Sequence, residues 1–499
     1  MEVLSSLALG FETALQPELL LFCLIGVTLG TAVGAIPGIG PLVTISMLLP
    51  VTFYLTPEAA IIMLAGVYYG GHYGGSIASI LLNLPGTASS AVICLDGYPM
   101  AQQGRAGVAL FVTAVASFIG GTIGIVALIL FAPLLVKIAF LFSAAEYFSL
   151  MLLGLVAAST ISIGSPLKGL AMVVAGLILG SVGTDVGSGQ YRFTFGQLGL
   201  VDGVSLIALA MGLFGVAEIL ANVGGNQHRT IRSKVTWRSL VPTREDVRRS
   251  FKPVLRGSVI GTICGALPGA GTSIASFMAY GVEKKVSRTP ERFGKGTIEG
   301  VTAPEAANNG AAQAAFIPTL SLGIPGDVVM ALLLGALMIH GITPGPRIVA
   351  THPELFWGLV ASFWVGNVML LVLNIPLIGI WVRLLTIPYR FLYPTILFFI
   401  CIGVYSVNTQ VFDVYLVIIF GVVGYFMRLA KLPAAPLLLG FILAAPMERN
   451  LRRALLISGG DFWVFVQRPI SAGLLLMVVV LLALSFWAAF RRRQRTAGS

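Results

Sequence analysis

The sequence predicts an all-α polytopic membrane protein built as two inverted-topology repeats, each holding a re-entrant hairpin and a broken helix. Three observations predict it. Of 499 residues, 57% are apolar and 10% are charged, where soluble domains average roughly 25% charged. The apolar runs recur along the whole chain at lengths near those needed to cross about 30 Å of hydrocarbon. Finally, one Pro-Gly-x-Gly motif and one Pro-Gly motif are each written twice, in the same order.

The N-terminal stretch Met1 to Glu18 holds acids but no Lys or Arg, so it lacks the basic region of a cleavable signal peptide and its apolar segment is expected to stay. Cys23, Cys94, Cys264 and Cys401 are far apart in apolar runs, which offers neither a disulfide framework nor a metal knuckle. The net charge of +11 does not point to nucleic acid, because the basic residues gather beside apolar segments. Arg229 to Arg256 carry nine Lys or Arg, Lys284 to Lys295 five and Arg491 to Arg495 four, while the first 104 residues have none. Such clusters mark the cytoplasmic side, which predicts an outside N-terminus, an inside C-terminus and contact with lipid head groups.

Gly34-Ala35-Ile36-Pro37-Gly38-Ile39-Gly40 recurs 231 residues later as Gly265-Ala266-Leu267-Pro268-Gly269-Ala270-Gly271, and Leu84-Pro85-Gly86 recurs 240 residues later as Ile324-Pro325-Gly326. Proline removes an amide donor and disfavours helix at the preceding residue, and glycine allows positive φ, so each motif breaks a helix. Backbone freed at membrane depth persists only when buried in protein or facing a watery cavity. Arg256 and Lys284 flank the second Pro-Gly-x-Gly on arms too short to span comfortably, so residues 268–271 are expected at a hairpin tip entered from the cytoplasm. The tip at 37–40, flanked by Glu12, Glu18 and Glu58, is expected to enter from outside, although its arms leave a full double crossing open.

The remaining apolar runs give spans near 108–134, 140–160, 167–183, 203–223, 355–381, 391–407, 411–427, 432–447 and 470–490, about eleven crossings with the two broken segments. The chain divides accordingly into a first repeat over 1–225 with a break at 84–90, a basic linker at 226–252, a second repeat over 253–450 with a break at 324–327, and a C-terminal helix and tail at 451–499. Arg449, Arg452, Arg453 and Arg468 then fall outside, against the usual bias.

Gly294-Lys295-Gly296-Thr297 lacks the upstream glycine of a nucleotide loop, and His72, His228, His340 and His352 stand apart from one another, so neither an ATP motor nor a zinc site is expected. No nucleophile elbow or paired acids suggest an enzyme. Polar residues gather instead around the breaks. Thr87, Ser89, Ser90, Thr272 and Ser273 sit where new helices begin, and helix N-termini with hydroxyls favour a carboxylate. Helix capping uses the same atoms. With Gly38, Ile39, Gly40, Pro85, Gly86, Gly269, Ala270, Gly271, Pro325 and Gly326 they form the candidate substrate site. Two polar stripes align at the 240-residue offset: Tyr69, His72, Tyr73, Ser76, Ser79 and Asn83, and Thr302, Glu305, Asn309 and Gln313 with Asn308 beside them. An acid kept inside a membrane usually has a task, so Asn83, Glu305, Asn308, Asn309 and Asp327 are candidates for a coupling ion or pathway. No metal is expected beyond Na⁺. Asp96 is read as a residue of the cytoplasmic interface.

GAIPGIGP at Gly34 to Pro41, YYGGHYGGSIASILLNLPGTASSA at Tyr68 to Ala91, LDGYPMAQQGRAG at Leu95 to Gly107, GALPGAGTSIASF at Gly265 to Phe277 and TAPEAANNGAAQ at Thr302 to Gln313 resemble the large membrane subunit of the tripartite tricarboxylate transporters, the TctA family. The resemblance implies a secondary carrier of the bacterial inner membrane that imports citrate or another carboxylate. It further implies a Na⁺ or H⁺ gradient as driving force, a periplasmic solute-binding protein and a small four-helix membrane subunit. A passive anion channel is the alternative, with a membrane-embedded enzyme after it.

Overall fold

The structure is a computed structural model; it describes residues 2–36, 40–139, 141–161, 166–185, 187–222, 237–267, 271–345, 347–385 and 389–497. The chain is helical nearly throughout. The first half runs α1 (Glu2–Ala14), α2 (Pro17–Ala35), α3 (Pro41–Thr52), α4 (Pro57–Leu82), a 3-10 turn (Ser89–Ile93) leading into α5 (Cys94–Gln102), α6 (Ala106–Ala139), α7 (Ala144–Ile161) and α8 (Pro166–Gly180). A short antiparallel hairpin of β1 (Gly183–Thr184) and β2 (Tyr191–Arg192) comes next, then α9 (Leu206–Ala210) and α10 (Ala217–Asn222), joined by a π-helical stretch at Met211–Val216.

The second half runs α11 (Arg244–Ala266), α12 (Gly271–Val286), α13 (Glu299–Ala314), α14 (Phe316–Leu322), α15 (Val328–Ile339), α16 (Ile348–Thr351), α17 (Pro353–Asn374), α18 (Ile378–Leu384), α19 (Tyr389–Asn408), α20 (Val411–Leu429), α21 (Ala434–Ile457), α22 (Val464–Gln467) and α23 (Pro469–Ala497).

Glycine spacing decides the packing. On α2, Gly26, Gly30 and Gly34 lie one turn apart, and a methyl group added at any of them collides with the carbonyl of Met63, Val67 or Gly71 of α4. On α11, Gly257, Gly261 and Gly265 meet Ala303, Ala307 and Ala311 of α13 in the same way. All six glycines and their targets correspond at the two sequence offsets. Because the residue numbers rise together in each pair, α2 runs parallel to α4, and α11 runs parallel to α13. The helices between them, α3 and α12, therefore turn back. At 12 and 16 residues they reach only about 18 and 24 Å, short of a full crossing.

The two sets point in opposite directions. Ser76 of α4 meets Glu305 of α13 while Tyr68 of α4 meets Phe316 of α14, so α4 is antiparallel to α13 and α14. These central helices are wrapped by α2, α6, α11, α12 and α17, and they are buried along nearly their whole length. Protein rather than lipid surrounds them, which is why they carry Gly, Ala, Ser, Asn and Tyr. Among the described residues, four helices are long and apolar enough to cross a membrane: Pro17–Ala35, Ala106–Phe131, Pro353–Asn374 and Val411–Leu429.

Several expected spans are divided or shifted. The stretch 355–381 is two helices, since Pro376 between α17 and α18 has no amide to continue the ladder. The span expected at 203–223 is α9, a π stretch and α10. The one expected to end at 447 continues as α21 to Ile457 and carries Arg449, Arg452 and Arg453. α11 begins at Arg244, inside the stretch read as linker, because Thr243 and Asp246 form a capping box there. The Asp246 amide donates to Thr243 Oγ1 at 3.1 Å, and the Thr243 amide donates to Asp246 Oδ2 at 3.0 Å. Burial alone would raise the Asp246 carboxyl, but the Thr243 donors and the Arg105 guanidinium outweigh it and hold it below the ordinary carboxylate range. Its contribution to stability is present above the unfolded value of about 3.9 and is lost as pH falls below it.

Replacing Gly30 or Gly261 by Val is expected to lower stability by about 1 to 3 kcal/mol or more through overpacking. Gly281→Ala, at an α12 position with open space around it, is expected to be neutral or stabilising by roughly 0.5 to 1 kcal/mol. Thermal unfolding in detergent measures both, and similar shifts at all three positions would contradict the close backbone packing.

Candidate functional site

Glu305 lies near the middle of the buried pair α4 and α13, with no exposed surface. Ser76 of α4 donates to its Oε2 at 2.6 Å, and Ser117 of α6 donates to Oε1 at 2.8 Å. Asn309, one turn on, donates through Nδ2 to the same Oε1 at 2.9 Å and to Ser117 Oγ at 2.8 Å. A buried carboxylate with three side-chain donors from three helices is a tightly specified polar centre. Around it, Asn308 Oδ1 and Nδ2, Asn309 Oδ1 and Gln313 Oε1 are buried and have no hydrogen-bond partner among the described residues. Native interiors rarely leave such atoms unpaired without a reason.

The two breaks are built alike. α4 ends at Asn83 (φ 56°) and α14 ends at Gly323 (φ 67°), both left-handed and both at the 240-residue offset. Gly86 then presses on Gly75 of α4 and on the Gly34 carbonyl at the end of α2, and Gly326 presses correspondingly on Ala315. Gly271, left-handed at φ 62°, faces Gly326 and Asp327. The first break therefore lies beside the end of α2, and the second beside the start of α12. Each also meets the other half: α12 packs on the Ser89–Ile93 turn and α3 packs on α15.

The residues just after the two breaks differ. In the first, Thr87 Oγ1 accepts from the Ser90 amide at 3.3 Å, and Ser90 Oγ accepts from the Thr87 amide at 3.1 Å. Ser89 Oγ lies 3.1 Å from Thr87 Oγ1 and 3.3 Å from His72 Nδ1. The His72 ring is buried, and its Nε2 has no partner among the described residues. In the second break, Asp327 stands where Thr87 stands in the first, and it caps α15 by accepting from the Met330 amide at 2.9 Å. Its other oxygen accepts from Tyr68 OH at 2.6 Å. The second break thus holds a carboxylate of its own, bound by a helix N-terminus and a hydroxyl from the opposite half.

The expected residues are accordingly distributed. Pro85, Gly86, Thr87, Ser89 and Ser90 come together at one break, and Gly271, Pro325, Gly326 and Asp327 at the other. Thr272 is buried and Ser273 half-buried at the start of α12. Gly40 caps α3 with open space around it. Gly38, Ile39, Gly269 and Ala270 lie outside the described residues. Asn83 is exposed at the end of α4, a left-handed position that asparagine tolerates. Asp96 sits in the first turn of α5: it accepts from the Gly296 and Thr297 amides at 2.8 Å and from Tyr280 OH at 2.9 Å, which ties the basic segment before α13 to α5. Sequence alone assigns no role to Tyr68, His72 or Ser117. His72 does carry a signal, because it lies on the polar stripe, whereas Ser117 sits in an apolar run and carries none.

The sequence model of the tripartite tricarboxylate transporter TctA family matches residues 20–439. The chain belongs to the TctA family. This TctA-family chain is also 50% identical over 494 residues to an Agrobacterium vitis protein described as an uncharacterized 52.8 kDa protein in the TAR-I ttuC' 3' region, covering 99% of this chain and 98% of that one. A second Agrobacterium vitis protein, described as uncharacterized in the TAR-II ttuC' 3' region, is 51% identical over 234 residues, 47% of this chain and 97% of that one. No solved structure matches. The chain is thus a component of a transporter family with a polytopic helical fold.

Ser117→Ala removes one of three donors from the buried Glu305 carboxylate and is expected to cost about 1 to 3 kcal/mol. Thermal unfolding in detergent reads the loss, and an unchanged midpoint would remove Ser117 from the network.

Proposed function

We propose that this chain is the translocating subunit of a secondary carrier that imports a di- or tricarboxylate such as citrate across the bacterial inner membrane. The antiparallel halves are read as an inverted-topology repeat with re-entrant hairpins, a frame in which broken helices meet a solute near the midplane. The basic linker and the loop tied down by Asp96 face the cytoplasm, with the N-terminus outside and the C-terminus inside. A periplasmic binding protein delivers the solute, and a small four-helix membrane subunit completes the carrier. The Glu305 network, with Asn308 and Asn309, holds the coupling H⁺ or Na⁺.

One observation carries this reading: the second break has a resident carboxylate, Asp327, and the first has Thr87 at the same place. Asp327 displays how a carboxylate is held at such a break. The substrate's carboxylate takes the corresponding position at the first break, beside Thr87, Ser89 and His72, where no protein carboxylate competes. A second substrate carboxylate at Asp327 is opposed by like charge.

Thr87→Asn and Thr87→Asp separate charge from capping, since both residues cap helices about equally well. The two variants are expected to unfold at similar temperatures. Citrate uptake into proteoliposomes containing the whole complex is expected to be at least tenfold lower for Thr87→Asp than for Thr87→Asn. Equal uptake by the two would place the substrate's carboxylate elsewhere.

A further inference from the structure

Arg449, Arg452, Arg453 and Arg468 stand apart from the other basic clusters, and two of them are engaged in ion pairs. Arg468 pairs with Glu146 at 3.1 Å. Arg452 bonds Asp185 Oδ2 at 2.8 Å and Glu448 Oε1 at 2.7 Å. Glu448 in turn receives a two-pronged contact from Arg192 of the β-hairpin, at 3.0 and 3.1 Å. This chain of pairs fixes the hairpin onto the end of α21. The Arg452 guanidinium and the Gly187 amide hold the Asp185 carboxyl well below the ordinary carboxylate range, so the frame stays charged.

Behind the frame lies a cleft of about 510 Å³, within the 300 to 1,000 Å³ usual for small-molecule sites. Arg449 and Arg453 line it and have no acidic partner among the described residues. They are one helical turn apart, so they present two guanidinium forks on one face. Asp185 and Glu448 are already engaged by Arg452 and Arg192, which leaves Asp202 as the other acid on the wall. Guanidinium forks match carboxylates in geometry and charge.

The cleft's position in the bundle is also defined. α8 and α21 run parallel, with Gly176 against Leu437 and Phe441 and, one turn on, Gly180 against Phe441 and Ala444. Near their starts Lys168 bonds the Ala430 carbonyl, and Arg428 pairs with Glu218 of α10, just before the basic linker. The cleft is at the opposite end.

We propose that this cleft is a capture site for a soluble polycarboxylate on the outer face, where Arg449 and Arg453 hold the anion before it reaches the central breaks. The proposal rests on the orientation and substrate class proposed above. The site accounts for arginines that the membrane's charge bias would otherwise exclude from that face. Asp202 opposes the anion, and its removal strengthens capture.

The test is the reactivity of an Arg453→Cys variant in intact spheroplasts. It uses two impermeant methanethiosulfonates, anionic sulfonatoethyl and cationic trimethylammonioethyl. The parent chain with its four native cysteines gives the baseline, and Phe195→Cys on the exposed loop after the hairpin gives the reference ratio. The anionic-to-cationic rate ratio is expected to be at least fivefold higher at position 453 than at 195. Adding Arg449→Ala is expected to lower it, adding Asp202→Asn to raise it, and millimolar citrate to slow the reaction. Equal ratios at 453 and 195, or no slowing by citrate, overturn the capture site and leave the central reading untouched. Reaction only after permeabilisation overturns the orientation as well. Slowing by phosphatidylglycerol but not by citrate in reconstituted bilayers assigns the cleft to lipid head groups and also overturns the proposal.

Discussion

Backbone contact between glycine-striped and central helices is the constraint on which the rest of the structure depends. With Gly26, Gly30 and Gly34 on the α4 carbonyls and Gly257, Gly261 and Gly265 on those of α13, each outer helix lies closer to its partner than side chains would allow. In a membrane, where lipid is as apolar as leucine, such close packing supplies association that hydrophobicity cannot. It also fixes where α2 and α11 end, because Gly34 and Gly265 stand in their last turns. Gly34 is both the last glycine of the stripe and the surface on which Gly86 rests. One register thus positions the helix pair, the hairpin end and the break.

The polar centre depends on the same register. A buried acid is costly unless it is hydrogen-bonded, and Glu305 is held in the protein interior by donors from α4, α6 and α13. Those donors reach it only because α4 and α13 run antiparallel at contact distance. Asp327 is held likewise, by its own helix and by Tyr68 from the opposite half. Both acids therefore sit on the boundary between the halves, and any relative motion of the halves alters their hydrogen bonds.

Much of this is legible in the sequence because duplication makes it visible. The offsets of 231 and 240 residues pair the glycine stripes, the breaks and the left-handed ends at Asn83 and Gly323. The Thr87 and Asp327 positions can be matched from sequence, but the bond from Tyr68 to Asp327 cannot, since no local pattern reports a contact between residues 259 apart. Hydropathy misjudges the centre for a physical reason: α4 and α13 are shielded from lipid, so they need not be strongly apolar. Span limits fail where local chemistry intervenes, at Pro376, at the π stretch Met211–Val216 and at the capping box of Thr243. The hairpin at residues 183–192 carries too short a ladder to signal in sequence.

The central claim is that the duplicated breaks are unequal, one holding the protein's carboxylate and the other receiving the solute's. A structure of the whole complex determined with bound citrate tests it most directly. The account predicts a carboxylate of the ligand beside Thr87, Ser89 and His72, with Asp327 still accepting from Tyr68. A ligand seated at Asp327 with the first break empty, or one bound away from both breaks, would contradict it.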